Sequence, residues 1–268
     1  MRNLLKFDFY KAIKSISTRI ILLCVIGFSI ASLTITYVSK NGGGLSDVAL
    51  EIGEQATVVS LEEMTIVDWC VDSISGDFLM LFVIVFAILF TCNDYATGFI
   101  KNVYNTIKHK WHYVLSEFVV ISLFAVLTIL AAYIVTLIFN FAVIKSSSLG
   151  DVSELLVFTL NKALLLIACG CVGALISFVF KKATASLIIC MGYSFMFASL
   201  IYTGVNQIVK NAGISDAFDV QKYTLVGNTI SLNANISFEQ QRIVLLVGCI
   251  AIVGSFMASS ILFAKRDI

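Results

Sequence analysis

The chain has 268 residues, of which 59% are hydrophobic and only 13% charged, with a mean hydropathy of +0.96. A soluble domain averages about half apolar and about a quarter charged, so composition excludes one and points to a polytopic, all-α membrane protein. The net charge of +1 says nothing of nucleic acid, and none is expected as a partner; what matters is how charge is shared between loops.

Residues 1–18 precede the first apolar run. Leu5, Phe9, Ala12, Ile13 and Ile16 fall on one helical face, with Lys6 and Lys14 on another. This is the pattern of a helix in the membrane interface, its lysines directed to headgroups. The run Ile20–Val38 is too long for the core of a signal peptide, and no Ala-x-Ala site follows it. It reads as an uncleaved first span. Five further runs approach or exceed the roughly 20 residues that cross about 30 Å of hydrocarbon. The expected spans are therefore about 20–38, 78–96, 113–144, 155–180, 183–205 and 243–264, forming one transmembrane domain over 1–268.

The loops between these runs differ in charge. Ser39–Asp77 carries Asp47, Glu51, Glu54, Glu62, Glu63, Asp68, Asp72 and Asp77 against Lys40 alone. It is either an acidic vestibule for a cationic substrate or an outer loop that merely tolerates acid. With the N-terminus inside, twelve basic residues lie on the cytoplasmic side: Arg2, Lys6, Lys11, Lys14, Arg19, Lys101, Lys108, Lys110, Lys181, Lys182, Lys265 and Arg266. Six lie outside: Lys40, Lys145, Lys162, Lys210, Lys222 and Arg242. That bias places both termini in the cytoplasm of a multi-pass plasma-membrane protein. Small residues four apart, Gly170/Ala174, Gly173/Ser177 and Gly254/Ala258, allow close approach of helices.

Asn93–Glu117, NDYATGFIKNVYNTIKHKWHYVLSE, is the longest polar interruption with net positive charge. At about 100° per residue, Phe99, Ile100, Val103, Tyr104 and Ile107 share one side of a short helix, and Lys101, Asn102, Asn105 and Lys108 the other. Gly98 is expected to start that helix and His109–Tyr113 to end it. The helix either rests on the lipid surface or takes a push from a cytoplasmic partner.

Little here supports chemistry on this chain. No Gly-x-x-x-x-Gly-Lys-[Ser/Thr] is present, so P-loop binding of ATP is excluded. His109 and His112, the only histidines, lack the further ligands of a metal site. Six of the seven cysteines fall in or at the ends of apolar runs and read as packing residues. The midplane portions of the runs hold no ionisable residue, whereas ion-coupled carriers usually need one.

Asp94-Tyr95-Ala96-Thr97-Gly98-Phe99-Ile100-Lys101-Asn102 resembles the acidic-x-x-x-Gly-[Thr/Phe]-Ile-Lys-Asn signature of ABC-2 type transporter permeases. LLKFDFYKAIKS resembles the opening segment of that family. Lys often follows the Ser near the start of the family's third helix; here Glu117 follows Ser116. The resemblance implies a permease subunit, not itself an enzyme, providing half of an export pathway. Partners would be two copies of an ABC ATPase that binds ATP and Mg, a second or homologous permease, membrane lipid, and an amphipathic or antimicrobial peptide as substrate. The cytoplasmic helix would be the coupling helix, with Asp94, Gly98, Lys101, Asn102, Val103, Tyr104, Ile107 and Lys108 as its contact set. Asp94 would anchor the loop and Gly98 permit its turn. The segment 206–241 would hold re-entrant helices. Alternatives are a non-transporting immunity or sensor subunit, and an ion-coupled secondary carrier.

Overall fold

The structure is a computed structural model, and it describes residues 2–40, 64–75, 77–106, 109–144, 148–192, 194, 198–211, 220–233 and 238–265. Gly42 to Gly44, Asp47, Glu51, Glu54, Glu62, Glu63, Ile107 and Lys108 lie outside the described residues. Among those described, every regular element is helical. In chain order they are α1 (Arg2–Lys14), α2 (Ile16–Lys40), α3 (Ile66–Ser75), α4 (Phe78–Ala96), α5 (Phe99–Thr106), α6 (Trp111–Phe139), α7 (Val152–Phe180), α8 (Ala183–Met191), α9 (Ala198–Asn211), α10 (Leu225–Ser231) and α11 (Phe238–Ala264).

Among the described residues, five stretches are long and apolar enough to cross a membrane: Ile16–Ser39, Phe78–Ala96, Trp111–Ile144, Val152–Phe180 and Phe238–Ala264. The third extends α6 through a wider π-type turn, Asn140–Ile144. Of the expected run 183–205, α8 covers Ala183–Met191 and α9 starts at Ala198, while residues 193 and 195–197 between them lie outside the described residues.

Helix α7 is the hub, packed against α4, α6, α8 and α11. Small residues let its neighbours in. A Cβ on Gly170 would stand 2.6 Å from Ile121 of α6 and 3.0 Å from Val83 of α4, and one on Gly248 of α11 would stand 2.9 Å from Leu164. Gly173 faces Ile84, whereas Gly254 faces open space. The apolar stretches of α4, α6 and α7 are 61%, 50% and 56% buried, against 22% for those of α2 and α11. The first three form an inner core, and the other two leave apolar sides uncovered.

The ends of α7 follow from local chemistry. The Asp151 side chain accepts from Ser153 N at 2.9 Å and caps its start. Lys181 ends it in the left-handed region at φ 57° and turns the chain into α8. Helix α3 lies inside what the sequence suggested was a plain acidic loop. Its capping box is Thr65 with Asp68: Thr65 N and Oγ1 donate to Asp68 Oδ2 at 2.8 and 2.7 Å, and Asp68 N donates to Thr65 Oγ1 at 3.3 Å. Val67, Cys70, Val71 and Ile74 recur at helical spacing, and all are buried.

Candidate functional site

The site is built where α4 ends, α5 crosses and α6 begins. Thr97 N closes α4 by donating to Asn93 O at 3.0 Å, and Gly98 follows at φ +68°. That backbone suits glycine, because a Cβ there would crowd the following carbonyl. The chain then turns directly into α5, with Lys101 N donating to Gly98 O at 3.1 Å.

Helix α5 lies against its own chain. Ile100 is buried, and Phe99 stacks on Phe7 of α1 at 4.7 Å. Tyr104, expected to anchor in a partner, is half-buried edge-on to Phe263 of α11 at 5.6 Å, with Lys110 Nζ 3.2 Å from its ring centre. Lys101 is exposed. Asn102 and Val103 belong to α5, but their side chains, like Ile107 and Lys108, lie outside the described residues.

Beneath the loop lies a buried polar cluster. Lys11 of α1 pairs with Asp94 Oδ1 and donates to Phe90 O at 3.3 Å. The Tyr113 hydroxyl stands 2.8 Å from Asp94 Oδ2 and 2.5 Å from Glu117 Oε1. Thr91 Oγ1 donates to Glu117 Oε2 at 3.1 Å, and Ser116 Oγ to Asp8 Oδ2 at 2.5 Å. Among the described residues, Asp8, Asp94 and Glu117 thus face a single ammonium in a region nearly closed to solvent. Burial pushes the Asp8 carboxyl up from 3.8 to about 6, and the Ser116 hydrogen bond opposes that rise; Asp94 adds to it, while Lys11 opposes it.

The cluster ties α1, α4 and α6 into one unit. Removing one member of a buried, paired set leaves the others uncompensated and commonly costs about 3–5 kcal/mol. Helix α5 leaves directly from the α4 end of this unit and touches α11 through Tyr104.

Of the expected contact set, the structure brings Asp94 and Gly98 together at the root of the loop and sets Lys101 on its surface. Sequence reasoning missed Asp8, Lys11, Tyr113, Ser116 and Glu117 as a group. One signal was available: Tyr113 and Glu117 stand four apart, on one face of a helix. On α1, Asp8 and Ala12 are buried towards the protein, while Phe9 and Ile13, and Ile16 at the start of α2, are exposed.

A second buried charge sits elsewhere. Lys162 of α7 is fully buried, and its ammonium donates to Ser75 O at 3.0 Å and Thr229 O at 2.9 Å. These carbonyls lie in the last turns of α3 and α10, where backbone carbonyls lack helical partners and the helix dipole favours a cation. Lys162, expected at the outer end of its span, holds these two short helices.

No family model matches the chain, and no curated protein sequence does.

Proposed function

We propose that the chain is the membrane subunit of an ABC exporter, driven by a separate ATPase through α5. The observation that carries this reading is the root of α5. A short helix leaves α4 by a glycine turn, and the cluster of Lys11, Asp94, Tyr113 and Glu117 fastens that turn to α1 and α6. A surface-resting helix needs no such attachment to three others, whereas a lever does. The acidic-to-Asn signature at Asp94–Asn102 resembles that of ABC-2 permeases and supports the same reading.

In this account the ATPase closes on ATP and Mg bound to itself, pushes α5, and tilts the helices tied to it. Six spans with both ends cytoplasmic form half a pathway, α8 and α9 together making the fifth span. A second permease supplies the other half, and two ATPase copies serve the pair. The short helices α3 and α10, held by Lys162, close the outer end. An amphipathic peptide suits a pathway with apolar walls.

Affinity isolation of the tagged chain in mild detergent from its native host tests this. An ABC ATPase should accompany it, and Lys101→Glu, on the exposed side of α5, should release that partner without altering the chain's thermal stability. A native complex that hydrolyses no ATP and contains no ATPase sinks the proposal.

A further inference from the structure

Helices α1 and α6 enclose a groove of about 390 Å³, lined by Leu5, Lys6, Phe9, Tyr10, Ile13, Val119 and Leu123. We propose that this groove holds one acyl chain of an anionic phospholipid whose headgroup sits between Lys6 and Lys14.

The walls are apolar almost throughout, with Lys6 contributing its aliphatic stem, which is how a long cationic side chain behaves beside hydrocarbon. The groove is also placed to reach from headgroup level inwards. Trp111, half-exposed at the start of α6, is the kind of residue that settles at a membrane interface. Val119 and Leu123 follow it by two and three turns, so at about 1.5 Å per residue the groove lies on the order of 15 Å along α6 from that interface. Phe9 and Ile13 are 44% and 62% exposed, so the protein itself leaves this side of α1 uncovered.

Charge selects the headgroup. Helix α1 has one acidic residue, Asp8, and it is turned inward onto Ser116. Lys11 is paired with Asp94. Lys6 and Lys14 are exposed, and Lys14 Nζ donates to the Tyr10 hydroxyl at 2.8 Å. Lys6, Tyr10 and Lys14 follow at intervals of four, one above another on the helix. That face of α1 is therefore cationic with no acid of α1 to offset it, and its Lys6 and Tyr10 line the apolar groove. A zwitterionic lipid would satisfy the groove but not the lysines.

This inference rests on reading α1 as an interfacial helix of a membrane protein. The test uses the full chain in nanodiscs of phosphatidylcholine and phosphatidylglycerol, with retained lipid counted by native mass spectrometry. Wild type should retain phosphatidylglycerol over phosphatidylcholine by about thirtyfold relative to the supplied mixture, the scale expected of two lysines near a membrane surface. Lys6→Gln with Lys14→Gln should bring that ratio close to one. Leu123→Trp or Val119→Trp, which fill the groove from the α6 side, should lower retention of both lipids. Raising salt should weaken the preference in wild type alone, since exposed charges are screened. Equal retention of the two lipids by wild type, or a ratio unmoved by the double lysine variant, overturns the proposal while leaving the membrane reading intact. Failure of the chain to enter nanodiscs would end both.

Discussion

The two buried charge sites solve one problem in opposite ways. Where α4 meets α6, the Lys11 ammonium faces Asp8, Asp94 and Glu117, and side chains supply the bonds apart from the one to Phe90 O. Where α3 leads into α4, Lys162 has no carboxylate bonded to it among the described residues and is held by the carbonyls of Ser75 and Thr229. A side-chain cluster with surplus acid gains or loses a proton, and each member can be exchanged singly. A cation held by backbone carbonyls is fixed by the helices that present them. The first arrangement suits the base of a moving loop; the second suits a fastening.

Breaking each site separates them. Asp94→Ala should have the largest effect, because it strands Lys11 and takes one partner from Tyr113; about 3 kcal/mol of stability should be lost. Thermal unfolding of the purified chain in detergent reads this directly. Asp94→Asn, which still accepts from Tyr113, should lose less. Lys162→Met should cost about 2 kcal/mol, because two buried carbonyls lose their donor while the expense of burying a charge is relieved. If Lys162→Met destabilises more than Asp94→Ala, the carbonyl site is the stronger of the two and the comparison reverses.

The contrast also explains what was legible in the sequence. Apolar runs of span length show directly, because the bilayer thickness sets their length, and α2, α4, α6, α7 and α11 lie where such runs lie. Gly98 was legible from its place between a span and an amphipathic stretch. The cluster was not, because Asp8 and Asp94 are far apart in sequence and only tertiary packing brings α1 against α6. Lys162 was visible as a lysine in an apolar run, yet its partners are carbonyls, which carry no residue signature. Helix α3 escaped notice because acid dominates the loop around it, although Val67, Val71 and Ile74 keep helical spacing.

Acidity should sharpen the difference in a further way. The Asp8 carboxyl sits at about 6 in the fold against 3.8 ordinarily, so the folded state holds the proton more tightly than the unfolded chain between those values. Its contribution is most favourable below about pH 4 and is lost progressively as pH rises through about 6. The stability of Asp8→Asn relative to wild type should therefore grow over that window and stay level above it. Lys11, Asp94 and Glu117 remain in both proteins, so subtracting the two pH profiles isolates Asp8. The same window should leave the Lys162→Met difference flat, and a difference that follows Asp8 would mean the two sites are coupled.

The smallest effect is expected inside the cluster itself, at Glu117. Tyr113 has one hydroxyl hydrogen and two carboxyl groups within bonding distance, so it serves Asp94 or Glu117 but not both. The shortfall disappears when position 117 itself brings a hydrogen. Glutamine does so: its amide nitrogen donates to the Tyr113 oxygen, freeing that hydroxyl for Asp94, while its carbonyl still accepts from Thr91. One surplus acidic group leaves at the same time. Glu117→Gln should therefore shift stability by less than about 1 kcal/mol, well below the cost of removing a buried partner outright. Glu117→Ala, which leaves Thr91 unserved and a gap beside Tyr113, should cost clearly more. Unfolding of the two variants side by side decides the matter. A Gln variant as damaged as the Ala variant would show that the cluster needs the acid at 117, and that the surplus of acid beneath α5 is structural after all.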